Sequence, residues 1–163
     1  MTDTTISQIG VVVRDLDKTM KLYTELLGWG PWNVYEHTAP ILHDTHLHGK
    51  PATYSMLCAE TMVGDMCYEL IQPLEGDSIY KEWLEEHGEG LHHVAVMKPT
   101  QADSDEFKKK MAENGAEMLM GGRIGENIEF FYLDSEPNLK VILESGTGHA
   151  IDLKPVRVYP EPE

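Results

Sequence analysis

Residues 88–96 read GEGLHHVAV, so that two histidines stand directly ahead of a short alternating apolar run. Gly88 ends the segment before it, and Leu91 to Met97 then has the period-two pattern of a half-buried strand. The same arrangement opens the chain. Ile6 to Val13 (ISQIGVVV) is β-branched and strand-like, with Gln8 at the place His93 holds in the later run.

Working outward from these two strands, each is followed by the same kinds of element. After the first, Asp15 or Asp17 can cap a helix whose apolar face is Leu16, Met20, Tyr23 and Leu27, and Gly28 is placed to end it in a left-handed conformation. From Trp29 to Pro51 the pattern dissolves into Gly, Pro, Trp and four histidines, which predicts a loop with one short strand around Asn33 to Glu36. Ala52 to Ala59 and Met66 to Gln72 read as two strands joined by a turn near Val63-Gly64-Asp65. Asp77 then caps a short helix carrying Tyr80, Trp83 and Leu84. After the second opening strand, Asp103 and Glu106 resemble a capping box, and Phe107 and Met111 mark a helix that Asn114-Gly115 ends. Three strands follow, Glu117 to Met120, Ile128 to Leu133 and Leu139 to Glu144, with residues 134–138 (DSEPN) as the last hairpin turn.

The order is strand, helix, three strands, twice over. A repeat of this size predicts an α+β fold of two tandem βαβββ modules, in which each copy covers a sheet face that the other exposes. The expected division is 5–75 for the first module, 76–90 for a linker helix, 91–145 for the second module, and 146–163 for a Pro-rich tail over the surface, all within one domain.

Strand parity sorts the polar residues, because side chains two apart share a face. Ile9, Val11 and Val13 oppose Gln8, Gly10 and Val12, while Val94 and Val96 oppose His93, Ala95 and Met97. The β-branched faces suit helix packing. Matching the copies also sets Glu69 against Glu144, each near the end of the last strand of its unit. Gln8, Glu69, His93 and Glu144 then project from the remaining face, where two carboxylates on an apolar surface require a cation or protons to neutralise them. One imidazole, two carboxylates and an amide oxygen form an oxygen-rich set suited to one divalent ion: Zn, Mn, Co, Ni, Mg or Fe(II).

Composition narrows the partners. Lys plus Arg number 13 and Asp plus Glu 28, a formal charge of −15 that repels nucleic acid and anionic lipid, and no basic patch offsets it. The N-terminal residues lack a signal-peptide pattern and no apolar run approaches the length of a membrane span. Two cysteines, Cys58 and Cys67, in a chain of 163 residues read as buried free thiols of a reducing compartment. The expectation is a cytoplasmic protein with a small-molecule partner.

The Gln8-Ile-Gly-Val-Val-Val run with its Asp-Leu-Asp helix start, Glu69-Leu-Ile-Gln-Pro-Leu, Asp77-Ser, Gly88-Glu-Gly-Leu-His-His-Val-Ala and Val141-Ile-Leu-Glu144 closely resemble the vicinal oxygen chelate superfamily. This is the glyoxalase/bleomycin resistance/dioxygenase type, nearest its methylmalonyl-CoA epimerase-like branch, and the resemblance runs from about Ile6 to Ser145. It implies paired βαβββ modules forming a cupped mixed sheet with helices packed outside, and one metal ligand from the first and last strand of each module. Those ligands map to Gln8, Glu69, His93 and Glu144. It also implies that the metal stabilises an enediolate or related oxyanion, and that the protein pairs as a homodimer. Two departures stand out. Gln8 occupies a position where the epimerase branch carries His, and Thr53-Tyr54-Ser55-Met56 supplies no carboxylate where that branch places a second catalytic Glu, which argues against methylmalonyl-CoA epimerase activity itself.

The resulting expectation is a metal-dependent isomerase, epimerase or lyase in which Glu144 or Glu69 removes a proton α to a carbonyl. An Fe(II)-dependent ring-cleaving dioxygenase and a non-catalytic ligand-sequestering protein of the resistance type are the alternatives. Trp32, Tyr54, His48 and Arg123 are candidate substrate contacts. His37, His43, His46 and His48 form either a polar lid, a second metal site or a general base, and His92 reads as an ordinary buried or surface histidine.

Overall fold

In the computed structural model, which describes residues 5–148 and 153–162, strand β1 (Gln8–Val12) leads into helix α1 (Leu16–Leu27). Asp15 caps α1: its backbone is extended and its carboxylate accepts from the Lys18 N–H at 3.0 Å, satisfying one of the donors a helix start leaves unpaired. Gly28 closes the helix at φ 69°, its N–H returning to the carbonyls of Thr24 and Tyr23. Strands β2 (Trp32–His37), β3 (Leu42–Leu47), β4 (Lys50–Pro51), β5 (Met56–Val63) and β6 (Met66–Pro73) follow, then helix α2 (Ile79–Glu86). The second half comprises β7 (Gly90–Ala95), α3 (Gln101–Glu113), β8 (Met118–Ile124), β9 (Ile128–Leu133), α4 (Glu136–Leu139) and β10 (Ile142–Thr147), with β11 (Arg157–Tyr159) in the tail.

The strands form one mixed sheet in the order β11-β2-β5-β6-β1-β7-β10-β9-β8-β3-β4. Each half contributes four adjacent strands with the same internal order, and β1 and β7 meet antiparallel at the seam. In both halves the opening strand runs parallel to the closing one, β1 beside β6 and β7 beside β10. This duplicated arrangement is the α+β fold that the repeat predicts.

Parity divides the core as expected. Val11 and Val13 join Leu16, Met20, Trp32, Val34, Ala59 and Leu70 beneath α1, while Val12 belongs to a second cluster with Met56, Cys58, Ile71, Met120, Phe130 and Tyr132. The second cluster draws on both halves, so the sheet curves enough for β5 and β9 to share one interior.

Several local expectations change. Residues 29–51 hold three strands rather than one, because β3 crosses the molecule to pair with β8, an association that no local pattern encodes. β5 is shifted four residues along from its expected end and runs to Val63, adding Glu60 to the strand. The N-caps of α2 and α3 are Ser78 and Thr100, whose hydroxyls accept from the Lys81 and Asp103 N–H groups; they displace Asp77 and the Asp103–Glu106 box. The DSEPN turn contains the short helix α4, with Pro137 in its first turn. The tail adds β11 to the edge of β2; residues 149–152 of that tail and residues 1–4 lie outside the described structure. Among the described residues no helix is long and apolar enough to cross a membrane.

Candidate metal centre

The seam brings the ligand candidates together. Gly10 of β1 faces His93 of β7, Gly10 also lies beside Glu69 of β6, and Glu144 of β10 sits next to Ala95 of β7. Gly10 is required here: a Cβ at that position would stand 1.9 Å from His93 Cε1 and 2.2 Å from its Nε2. The imidazole therefore lies in the notch a glycine leaves, and His93 is fully buried, with Tyr132 edge-on at 4.9 Å between ring centroids.

One donor atom from each of Glu69, His93 and Glu144 lies within 4.8 Å of the others, and all three residues are buried. His93 Nε2 is 3.8 Å from Glu69 Oε2 and 3.0 Å from Glu144 Oε2. The shorter contact lacks the alignment of a hydrogen bond, so both atoms remain unpartnered. Buried polar atoms are almost always paired, and two atoms left unpartnered 3.0 Å apart have the separation of neighbouring ligands on one cation. Glu69 carries a further sign of the missing charge: burial, and then the neighbouring Glu144 and Glu60, push its carboxyl well above the ordinary carboxylate range. The residues thus fit a divalent ion held by one nitrogen and two carboxylate oxygens.

Gln8 stands at the rim of this trio. Its amide Nε2 donates to Glu69 Oε2 at 2.5 Å, so the side chain orients Glu69, and its Oε1 meets a cation only after the amide turns over. Behind His93, the Nδ1 atoms of His92 and His93 are 2.9 Å apart, a distance at which one must donate and the other accept. If His93 donates from Nδ1, its Nε2 lone pair is free for a metal, the usual role of an outer-shell hydrogen bond. His92 is buried among Tyr80, Trp83 and Tyr132, and burial followed by the neighbouring His93 and His87 holds its imidazole well below the usual range, in the neutral form such an acceptor needs.

Glu69 and Glu144, with Gln8, line a cavity of about 390 Å³ to which both halves contribute, and His93 lies buried behind them. His37, Met56, Cys58, Glu60 and Met62 line one side; Ile124, Ile128, Phe130 and Tyr132 line the other. The superfamily model described as glyoxalase/bleomycin resistance protein/dioxygenase matches residues 7–132. The chain belongs to that superfamily.

Solved structures of similar fold include a hypothetical protein, BH1468, from Bacillus halodurans C-125 (TM-score 0.60, 19% identity, covering 89% of this chain and 94% of that one). The methylmalonyl-CoA epimerase from Mycobacterium tuberculosis is similar at TM-score 0.58 and 16% identity, covering 90% and 91%. A methylmalonyl-CoA epimerase in complex with methylmalonyl-CoA and NH4+ is similar at 0.57 and 24%, covering 91% and 96%. At these identities the likeness concerns the fold. No curated protein matches the sequence.

Within this superfamily member, the four candidate substrate contacts lie apart from the cavity lining. Trp32 is fully buried on the α1 side of the sheet, its indole N–H donating to Thr24 Oγ1 and the Trp29 carbonyl, both at 3.1 Å. Tyr54 is buried with its hydroxyl donating to the Gly121 carbonyl at 2.8 Å. His48 is exposed and 2.8 Å from Glu82 Oε1, and Arg123 sits half-buried on β8 opposite Glu129. Of the loop histidines, His37 alone lines the cavity; His43 pairs with Asp44 and the Gly125 carbonyl, and His46 with the Asp44 carbonyl.

Three cavity residues, Glu60, Tyr80 and Tyr132, were not site candidates in the sequence reading, and His37 was named there only among the four loop histidines. His37 is buried, and desolvation lowers its imidazole to about 4. Glu60 faces Glu69 across β5 and β6, and burial, then the charge of Glu144, raises its carboxyl to about 7. Tyr80 and Tyr132 share a 2.7 Å hydroxyl contact, and burial pushes both phenols well above their ordinary value. Glu60 was within reach of the parity rule, because it continues the series Met56, Cys58, Glu60, but only once β5 is known to extend past Ala59.

Proposed function

We propose that this protein is a metal-dependent enzyme that moves a proton α to a carbonyl of a small carbonyl compound or thioester, as an isomerase, epimerase or lyase. The observation that carries this reading is the buried Glu69–His93–Glu144 trio with two unpartnered donor atoms, whose two carboxylates line a cavity. A divalent ion bound there supplies Lewis-acid polarisation of a substrate oxygen.

This chain's own residues do the rest. Glu144 accepts the proton from the substrate carbon, with Glu69 as the alternative acceptor, since both carboxylates stand at the cavity wall. Gln8 holds Glu69 in orientation through its amide hydrogen bond. Glu60, with its carboxyl near 7, can store or return a proton at neutral pH from one strand away. The Tyr80–Tyr132 pair stays protonated, and since one hydroxyl donates to the other, the pair has one hydroxyl proton left to donate at the cavity wall. A trio with one imidazole and two carboxylates departs from the two-His, one-carboxylate set of ring-cleaving iron oxygenases, which supports proton transfer over oxygenation. Cys58 and Cys67 are both free, which suits a reducing cytoplasm.

Elemental analysis of the purified protein tests the ion directly. Deuterium exchange into hydroxyacetone, followed by proton NMR in D₂O, tests the chemistry. Exchange is expected with metal restored and not with metal stripped, and Glu144→Ala is expected to remove it. Equal exchange by Glu144→Ala would end the role given to that residue.

A further inference from the structure

The charges around the cavity have one sign. Glu60, Glu69 and Glu144 line its interior and Asp65 its rim, while among the described residues no Lys or Arg lines it. The four residues before Thr5 and the four after Gly148, which adjoin rim positions, include neither Lys nor Arg. The histidine on the wall does not compensate, because desolvation keeps His37 neutral at physiological pH. Three of the basic side chains are engaged elsewhere: Arg14 donates to the Leu84 carbonyl, Lys108 pairs with Glu129, and Arg157 pairs with Asp17.

A divalent ion balanced by Glu69 and Glu144 leaves the centre neutral, with Glu60 and Asp65 still acidic when ionised. Nothing in the lining then offsets a further negative charge, and burying an uncompensated anion is strongly unfavourable. The remaining wall is apolar and soft, built from Met56, Met62, Met97, Ile124, Ile128 and Phe130. At about 390 Å³ the cavity lies near the lower end of the roughly 300–1,000 Å³ of small-molecule sites.

We infer that the substrate is an uncharged carbonyl compound with an apolar body, and that the cavity discriminates against carboxylates, phosphates and nucleotide thioesters. This names the substrate class for the function proposed above and rests on the cavity being its substrate site. It separates this chain from the structurally similar epimerase solved with methylmalonyl-CoA, a ligand that carries both a carboxylate and phosphates.

The test uses methyl-labelled methionine NMR on the full chain, reading Met56, Met62 and Met97 in the cavity wall. Metal-free protein is titrated with acetophenone and with benzoate, which have the same number of heavy atoms and differ in charge. Acetophenone is expected to shift these methyls and to bind at least about 10-fold tighter than benzoate. Met62, 60% exposed, has room for a cation: Met62→Arg is expected to raise the ratio of benzoate to acetophenone affinity about 3-fold or more, read from Met56 and Met97. Zinc-loaded protein is titrated with 4-carbamoylbenzohydroxamic acid and 4-carboxybenzohydroxamic acid, which share the zinc-binding hydroxamate and differ by one carboxylate charge, the carbamoyl member again binding at least about 10-fold tighter. Benzoate binding as tightly as acetophenone, or neither probe moving the cavity methyls, overturns the inference. Hydroxamate affinity indifferent to zinc would instead strike the metal centre, and the metal-free comparison would still decide the charge selectivity.

Discussion

The two halves of the sheet share a topology but divide the labour at the site. The opening strand of the second half contributes a buried imidazole, His93; that of the first contributes Gln8 and, two residues on, the glycine that makes room for that imidazole. Their closing strands contribute matching carboxylates, Glu69 and Glu144, each 7% exposed. The insertions differ more. The first half inserts β3 and β4, which extend the sheet beyond β8 of the second half, while the second inserts only α4 before its last strand. The duplicated fold keeps its symmetry in the strand pairing and departs from it in the side chains at the seam, with His93 in one opening strand and Gln8 in the other.

Substitutions at four positions break or sharpen this comparison. The largest effect is expected from Gly10→Ala, since the added methyl would overlap the His93 ring. It should lower zinc affinity by more than the roughly 100-fold upper range of outer-shell changes, measured by calorimetry. It should also cost about 1–3 kcal/mol in urea unfolding through overpacking. Next comes the second half's own support. His92→Phe removes the Nδ1 acceptor behind His93 and should weaken zinc binding by about 10–100-fold, while His92→Gln, which can still accept, should retain more of it. Nitrogen NMR of His93 gives an independent readout, the zinc-loaded wild type showing a proton on Nδ1.

Making the halves more alike should have a smaller and opposite effect. Gln8→His replaces an amide with a stronger ligand and is expected to raise zinc affinity on the order of tenfold; unchanged or weaker binding would show that Gln8 acts only through Glu69. The smallest effect belongs to Glu60→Gln. A carboxyl raised to about 7 keeps its proton in the folded state between pH 4.5 and 7, where the unfolded chain has released it. Stability therefore falls as pH rises through that window, by less than about 1.4 kcal/mol per pH unit. The variant should flatten that decline in chemical denaturation series at several pH values, and an unaltered slope would assign it to other groups. His37 works in the opposite direction: lowered to about 4, it contributes stability above pH 6.5 that is lost as pH falls toward 4.

Much of this site was legible in local pattern. Parity placed Gln8 and His93 on the face away from α1, and the repeat paired Glu69 with Glu144, because strand alternation and module order are both carried by nearest neighbours along the chain. Glu60 and His37 were not legible in that way. Glu60 lay past the expected end of its strand, where Thr61 and Met62 gave no boundary, and His37 sat among four histidines of which three turned out to be surface groups with local partners. Trp32 and Tyr54 carried the residue chemistry of a binding wall, but whether an aromatic ring meets a cavity or a helix depends on the layer above it.

By itself the sequence determined the duplicated α+β architecture, the two faces of the sheet and the residue types of the candidate centre, because hydrophobic periodicity and helix punctuation are local properties of a chain. The tertiary structure alone decided that β3 reaches across to β8, that His93 fits the notch at Gly10, and that the acids line a cavity to which, among the described residues, no Lys or Arg contributes. Each depends on contacts between residues far apart in sequence, and such contacts are set by how the two halves curve together.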